Sequence, residues 1–193
     1  MKTGQKKLLA LAALFFAPLL AALALFFGPV SWYPEAVTEG VLITPARPLE
    51  AVVLTDLGGT SVSLAELQGR WTLVYPRESS CSVECVGFLE QLVQLRRALG
   101  EDSHRLSLAL VADSTLFGAE NLTELARKIP GLMVLLESTD KPGLLSQLEW
   151  RAELDRIYLI DALGNYLMYY PVADGPRPIL EDLEHLMKHS ANG

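Results

Sequence analysis

The sequence WTLVYPRESSCSVECVGFLEQLVQLRRAL, residues 71–99, places the only two cysteines of the chain between two apolar segments of different periodicity. Residues 71–75 predict a buried strand, and residues 85–99 predict an amphipathic helix that stops at Gly100. Cys81 and Cys85 therefore lie at a strand-to-helix junction, with one thiol near the helix N-terminus and the other about one turn along the same face. The helix dipole and the free N–H groups there favour a thiolate.

Two thiols in this position can exchange a disulfide or hold a soft metal ion between two sulfurs. A purely structural disulfide is the alternative, although it would close only a short loop and stabilise the fold modestly. Cys81 is predicted to be the attacking thiol because it lies nearer the helix start, and Cys85 would resolve the mixed disulfide. Glu84 adds a negative charge that opposes thiolate formation, and Arg77 would offset this charge if its loop folds back.

Residues 8–30 form an uncharged run of 23 residues, which is long enough to cross a hydrocarbon core of roughly 30 Å. The flanks are those of a membrane anchor, with cations before the run and aromatic residues after it: Lys2, Lys6, Lys7, Trp32 and Tyr33. A cleaved signal peptide usually has a shorter apolar stretch, of about 7–15 residues. The pattern predicts a retained single-pass anchor in the inner (cytoplasmic) membrane, with residues 1–7 in the cytoplasm and the C-terminal domain on the periplasmic or equivalent exported side.

Composition restricts the class of partner. The net charge is −7 for the whole chain, and without the three lysines before the anchor the exported part carries about −10. Binding to a phosphate backbone needs clustered Lys and Arg, so a nucleic-acid partner is not expected. Residues 31–48 are rich in Pro and Gly without periodicity and predict a linker, which leaves residues 49–193 as one domain of ordinary size.

The order of elements predicts an α/β domain with a mixed sheet flanked by helices. Predicted strands cover residues 51–54, 62–64, 71–75, 106–111, 132–136, 157–160 and 166–170, and predicted helices cover 85–99, 121–129, 142–150 and 178–188. With the cysteines after the first central strand, a thioredoxin-like fold suits this order better than a nucleotide-binding one. A glycine-rich phosphate-binding loop is missing from the sequence.

Three motifs carry a resemblance to one family. They are VLTDLGGTSVSLAELQGR at residues 53–70, WTLVY at 71–75 followed by CSVEC at 81–85, and YLIDALGN at 158–165. Together they resemble the Sco/SenC family, thioredoxin-like proteins that are anchored by one helix and take part in building the copper centre of cytochrome c oxidase. The Cys-x-x-x-Cys spacing within this framework is the specific part of the resemblance.

The chain also departs from the family pattern. Ser82 and Val86 stand where the family usually has a proline after each cysteine. The position of the family's copper-ligating histidine is occupied by Glu153, and no histidine occurs between His104 and His185. A carboxylate is a harder ligand that suits copper(I) less well than imidazole or thiolate. By resemblance, Cu(I) could still bind the two thiolates of Cys81 and Cys85, and Glu153 at the position of the histidine is a poorer candidate for the third ligand.

By resemblance, we expect a membrane-anchored protein that assists cytochrome c oxidase assembly by thiol–disulfide exchange at Cys81 and Cys85, accompanied by transient Cu(I) binding. The implied partner is the copper-centre subunit of the oxidase, and the implied metal is copper. Three alternatives stay open. The protein could be a non-enzymatic Cu(I) metallochaperone, a degenerate scaffold or docking subunit, or an ordinary thioredoxin-like reductase.

Overall fold

The computed structural model describes residues 3–27, 38–77, 81–113, 119–137 and 143–190. The chain divides into two compact units, residues 1–37 and residues 38–193. In the first unit the structure describes the helix α1 (Thr3–Phe27), which is built mainly from the good helix formers alanine and leucine and contains Pro18. Among the described residues, no helix is both long enough and apolar enough to span a membrane. The anchor therefore stays a prediction.

The second unit is built on one mixed sheet. Within the described residues the sheet has eight strands in the order β1-β8-β7-β4-β5-β6-β2-β3. The strands are β1 (Val41–Pro48), β2 (Val53–Asp56), β3 (Ser61–Ser63), β4 (Trp71–Arg77), β5 (Leu106–Asp113), β6 (Leu132–Glu137), β7 (Arg156–Ile160) and β8 (Asn165–Pro171). The central strands β4, β5 and β6 are parallel, and the other neighbours pair antiparallel. This arrangement confirms the predicted thioredoxin-like mixed sheet.

Four helices belong to this unit in the described part of the chain. They are α2 (Val83–Ala98), α3 (Ala119–Lys128), α4 (Leu144–Gln147) and α5 (Arg177–His189). The predicted helix at 142–150 is thus much shorter, and the predicted first residue of that helix, Pro142, lies outside the described residues. The predicted helix at 85–99 begins two residues earlier than expected, because a serine caps it from outside.

The two faces of the sheet bury separate apolar clusters. Successive residues of a strand point to opposite faces, so Leu73 and Tyr75 belong to one cluster while Val74 belongs to the other. Helices α2, α3 and α5 cover the first face. The second face is covered by α4 and a 3-10 turn at Leu64–Leu67. Because β4 lies between both clusters, six of its seven residues are buried, as expected for a parallel strand covered on both faces.

The predicted linker at residues 31–48 requires a correction. Residues 41–48 form β1, which pairs antiparallel with β8 through Val41 with Tyr169 and Leu42 with Met168. Two prolines in this segment argue against a strand at the level of sequence, since proline lacks the N–H that donates to the ladder. They are tolerated because β1 is an edge strand, whose outer side needs no partner.

A buried carboxylate holds the start of this strand. Asp182 on α5 is 4 % exposed and accepts the backbone N–H groups of Glu39 at 3.0 Å and of Gly40 at 2.9 Å. The hydroxyl of Tyr170 donates to the same carboxylate at 3.0 Å. Three donors therefore depend on one side chain, which ties the beginning of the domain to its last helix.

We predict that Asp182→Ala lowers the free energy of unfolding by about 2–4 kcal/mol, because two N–H groups and a hydroxyl lose a charged acceptor in a buried place. Urea denaturation of the oxidised protein measures this loss. Asp174→Ala is the matched control, since Asp174 is exposed, and its effect should stay within about 0.5 kcal/mol. Equal losses in the two variants would contradict this role of Asp182.

Candidate functional site

The start of α2 is fixed by Ser82. This residue is the N-cap of the helix, and its Oγ accepts the backbone N–H of Cys85 at 3.3 Å. Cys81 therefore stands just before the cap, outside the helix, and Cys85 is the third residue inside it. A serine directly before an apolar helix is a recognised start signal, and it places the helix start at Val83 rather than at residue 85.

Cys81 and Cys85 form a disulfide, with their Cα atoms 5.3 Å apart. This separation lies in the usual range for bonded cysteines. The two residues differ in exposure, because Cys85 is 4 % exposed within the first-face cluster while Cys81 is only partly buried against it. The structure therefore brings the two predicted cysteines together and presents Cys81 to solvent more than Cys85.

The charges at the helix start act in opposite directions. The helix N-terminus favours a thiolate there. Glu84, exposed in the first turn, accepts a hydrogen bond from the Ser82 side chain, and this bond, followed by backbone hydrogen bonding, lowers the pKa of its carboxyl. A carboxylate three residues from Cys81 opposes a second negative charge on sulfur. Glu84 consequently favours the disulfide over the dithiolate.

Arg77 lies at the end of β4 and is engaged elsewhere. Its Nη1 donates to Asp155 Oδ1 at 3.2 Å and to the Tyr75 hydroxyl at 3.2 Å. The Tyr75 hydroxyl donates to the same carboxylate oxygen at 3.0 Å, and the Tyr75 ring packs edge-on against Phe88 of α2 at 5.5 Å. This network joins the end of β4 to the turn before β7 and, through Phe88, to the cysteine-bearing helix. Arg77 is therefore a partner of Asp155, whereas the sequence suggested that it would offset Glu84 only if its loop folds back.

The third predicted ligand has a different environment. Glu153 is exposed in the turn before β7. Among the described residues, no group of three or more His, Cys, Asp or Glu side chains could hold a metal ion. The structure shows the two sulfurs in their oxidised, bonded form, so the three-ligand copper site implied by the resemblance stays a prediction. Whether Glu153 approaches the reduced pair stays a prediction.

Sequence reasoning missed the network around Tyr75. Asp155 is 80 residues from Tyr75 and 78 from Arg77 along the chain, and no local motif connects positions so far apart. The apolar run at 71–75 identified the strand but not the polar role of its last residue. Ser82, in contrast, carried a readable signal as a helix-capping residue.

Comparisons with known proteins agree with this geometry. Residues 71–190 match a family model described as "transmembrane-like, thioredoxin-like, C-terminal domain". No curated protein sequence matches the chain. Among solved structures, yeast Sco1 superposes with a TM-score of 0.66 at 16 % identity, covering 78 % of this chain and all of the other.

Two further structures are similar in fold. Arabidopsis thaliana ScoI with copper bound has a TM-score of 0.61 at 16 % identity, covering 73 % of this chain and 98 % of the other. BsSco has a TM-score of 0.56 at 16 % identity, covering 81 % of this chain and all of the other. Its structure is described as identifying a disulfide switch in a member of the Sco family of cytochrome c oxidase assembly proteins. At these identities the likeness confirms the Sco/SenC resemblance at the level of the fold.

We predict that Ser82→Ala lowers the free energy of unfolding by about 1 kcal/mol, the usual cost of losing a helix cap. The pKa of the Glu84 carboxyl should return toward its ordinary value, because the hydroxyl that lowers it is gone. Urea denaturation and NMR titration of the glutamate carboxyls measure the two effects. Ser61→Ala, at an exposed strand position, serves as the control and should change neither quantity.

The raised pKa of the Tyr75 hydroxyl predicts that the free energy of unfolding falls at alkaline pH. Burial, reinforced by the Asp155 carboxylate and opposed by Arg77, raises the pKa of Tyr75 from 10.0 to about 12. A pKa raised by folding stabilises the fold below pH 10, and this contribution is lost as the pH rises from 10 to 12. The gap in unfolding free energy between wild type and Tyr75→Phe should therefore narrow across that window, as measured by urea denaturation at pH 8 and pH 11.5. A constant gap would refute the prediction.

Proposed function

We propose that this chain, which belongs to the family of transmembrane-like, thioredoxin-like C-terminal domains, is a Sco-like protein that exchanges its Cys81–Cys85 disulfide with cysteines of a partner protein. One observation carries this proposal. A disulfide lies at the capped start of α2, at the end of the central strand β4, with one cysteine partly exposed and the other buried. A thioredoxin-like sheet commonly presents a reactive disulfide in this place.

The exchange balances with a partner dithiol as the only co-reactant. A partner thiolate bonds to Sγ of Cys81, the Sγ–Sγ bond breaks, and the electron pair leaves on Cys85, which takes up a proton from solvent. The second partner thiol then attacks the mixed disulfide and releases Cys81. Two electrons have passed to this protein, and the partner has gained a disulfide. The same steps in reverse let the reduced protein reduce a partner disulfide.

The partner is proposed from the Sco likeness. BsSco is described as belonging to a family of cytochrome c oxidase assembly proteins, and we assign the same process to this chain. The partner would be the copper-centre subunit of the oxidase, whose copper-binding cysteines the reduced protein would keep reduced. Copper(I) would be cargo, bound briefly between the two thiolates of the reduced pair, since soft thiolates suit Cu(I).

The proposed location follows from the N-terminal sequence. The uncharged run at residues 8–30 lies largely within α1, after three lysines and before two aromatic residues. We assign it as a single-pass anchor of the inner membrane, with the thioredoxin-like domain on the periplasmic or equivalent exported side. Disulfides persist in such a compartment.

The reaction predicts different behaviour for the two single cysteine variants. In Cys85→Ser, the remaining Cys81 thiol should attack a disulfide-bonded partner or peptide and form a mixed disulfide with it. This mixed disulfide should persist, because the second thiol that would resolve it is absent. Cys81→Ser should capture at least about tenfold less, because thiol reactivity follows exposure and Cys85 is buried. Mass spectrometry of the alkylated full-length protein measures both adducts. Equal capture by the two variants would refute the assigned roles.

Two further measurements separate the alternatives. Anaerobic titration of the reduced protein with Cu(I) against a competing chelator should show weak binding, together with a measurable dithiol potential in glutathione buffers. Tight stoichiometric Cu(I) binding without turnover would instead identify a metallochaperone.

In cells, replacing both cysteines by serine should impair oxidase assembly, and unimpaired assembly would identify a scaffold.

A further inference from the structure

The first turn of α2 exposes an apolar side chain beside the disulfide. Val83 is 84 % exposed, more than any other large hydrophobic residue in the described part of the chain. Elsewhere in the domain, Leu163 and Val53 are the next most exposed, at 67 % and 66 %. A single exposed apolar residue is ordinary, but this one follows the partly exposed Cys81 by two positions. Contact with a second polypeptide would remove it from water.

The accessible side of the disulfide fixes where such a polypeptide must lie. Cys85 is 4 % exposed, so a partner thiol reaches the bond from the side of Cys81. The residues that follow Cys81, namely Ser82, Val83 and Glu84, are all exposed, so a chain that carries this thiol can contact them. We call these three residues the helix-start patch. A small-molecule thiol has no flanking side chains that could contact these residues.

The patch also carries a defined charge. Glu84 is fully exposed, and the Ser82 hydroxyl lowers the pKa of its carboxyl, so it is ionised at neutral pH. Residues 38–193 contain 22 acidic and 13 basic residues, a net charge of −9. The local charge and the charge of the whole domain therefore attract a basic partner segment. A basic residue beside the partner cysteine also lowers the pKa of that thiol and supplies the attacking thiolate.

We propose that the helix-start patch selects partner cysteines that are flanked by an apolar side chain, which Val83 contacts, and by a basic residue, which Glu84 attracts. This inference rests on the proposed function and names the class of substrate thiol. The chemical step is unchanged: the partner thiolate bonds to Sγ of Cys81, and Cys85 leaves with the electron pair. Selection acts before this step, on the orientation of the partner chain.

The test uses the full-length oxidised protein and three synthetic dithiol peptides with the same cysteine spacing. Their reactive cysteine is flanked by Leu and Lys, by Ser and Lys, or by Leu and Glu, and dithiothreitol serves as a thiol without flanks. Rates of exchange are measured by acid quenching and chromatography. For the wild type, the ratio of the peptide rate to the dithiothreitol rate should be highest with the Leu–Lys peptide.

Two variants and one control test the assignments. In Val83→Ser, the ratio of the Leu–Lys rate to the dithiothreitol rate should fall about fivefold, the effect expected for partly exposing one apolar contact. In Glu84→Gln, the preference for Lys over Glu flanks should fall but stay above one, because the net charge of the domain and the lower pKa of a thiol beside Lys remain, and the wild-type preference should weaken with salt. Leu163→Ser removes a similarly exposed residue from the turn between β7 and β8 and should leave every ratio unchanged.

Each opposite outcome overturns a defined claim. Equal rates for the three peptides, or an equal effect of Val83→Ser and Leu163→Ser, would overturn the selective patch while leaving disulfide exchange in place. A Val83→Ser variant that slowed dithiothreitol as much as the peptides would show an effect on the disulfide itself and would also overturn it. Failure of the wild type to exchange with any of these thiols would overturn the proposed function and this inference with it.

Discussion

The pairing of β4 with β5 on one side and with β7 on the other is the constraint on which the rest of the domain depends. Seven parallel pairs hold β4 against β5, and three antiparallel pairs hold it against β7. With six residues of β4 buried, a shift by one residue would exchange its side chains between the two apolar clusters and disrupt the packing of both. The end of β4 therefore occupies a fixed position, and the cysteine-bearing helix begins from that position.

The proposed disulfide exchange depends on the different exposure of the two cysteines. The Ser82 cap leaves Cys81 outside the helix and Cys85 inside it, so that Cys81 is partly exposed while Cys85 is buried in the core. An incoming thiol then has one accessible target, and the departing thiolate is retained within the protein. A chain with both cysteines equally exposed would not impose this order of attack and release.

Two departures from the Sco pattern, at Ser82 and Glu153, bear on the balance between copper binding and dithiol exchange. Ser82, in place of proline, brings a hydroxyl that caps α2 and binds the Glu84 carboxylate. Glu153, in place of histidine, is exposed in a turn that Asp155 ties to Tyr75 and Arg77. The first change stabilises the ionised carboxylate of Glu84 near the disulfide, and the second replaces an imidazole with a harder carboxylate ligand. Both changes agree with the proposal that this chain carries out dithiol exchange rather than holding a resident copper ion.

The sequence alone determined the features that depend on neighbouring residues: the buried strand at 71–75, the amphipathic helix after it, and the junction that holds Cys81 and Cys85. It also determined the α/β class, because strand and helix periodicities alternate along the chain. Only the tertiary structure decided that residues 41–48 pair with β8 and that Asp155 binds Tyr75 and Arg77. Such contacts join positions many residues apart, and their free energy depends on burial and register that local patterns do not encode.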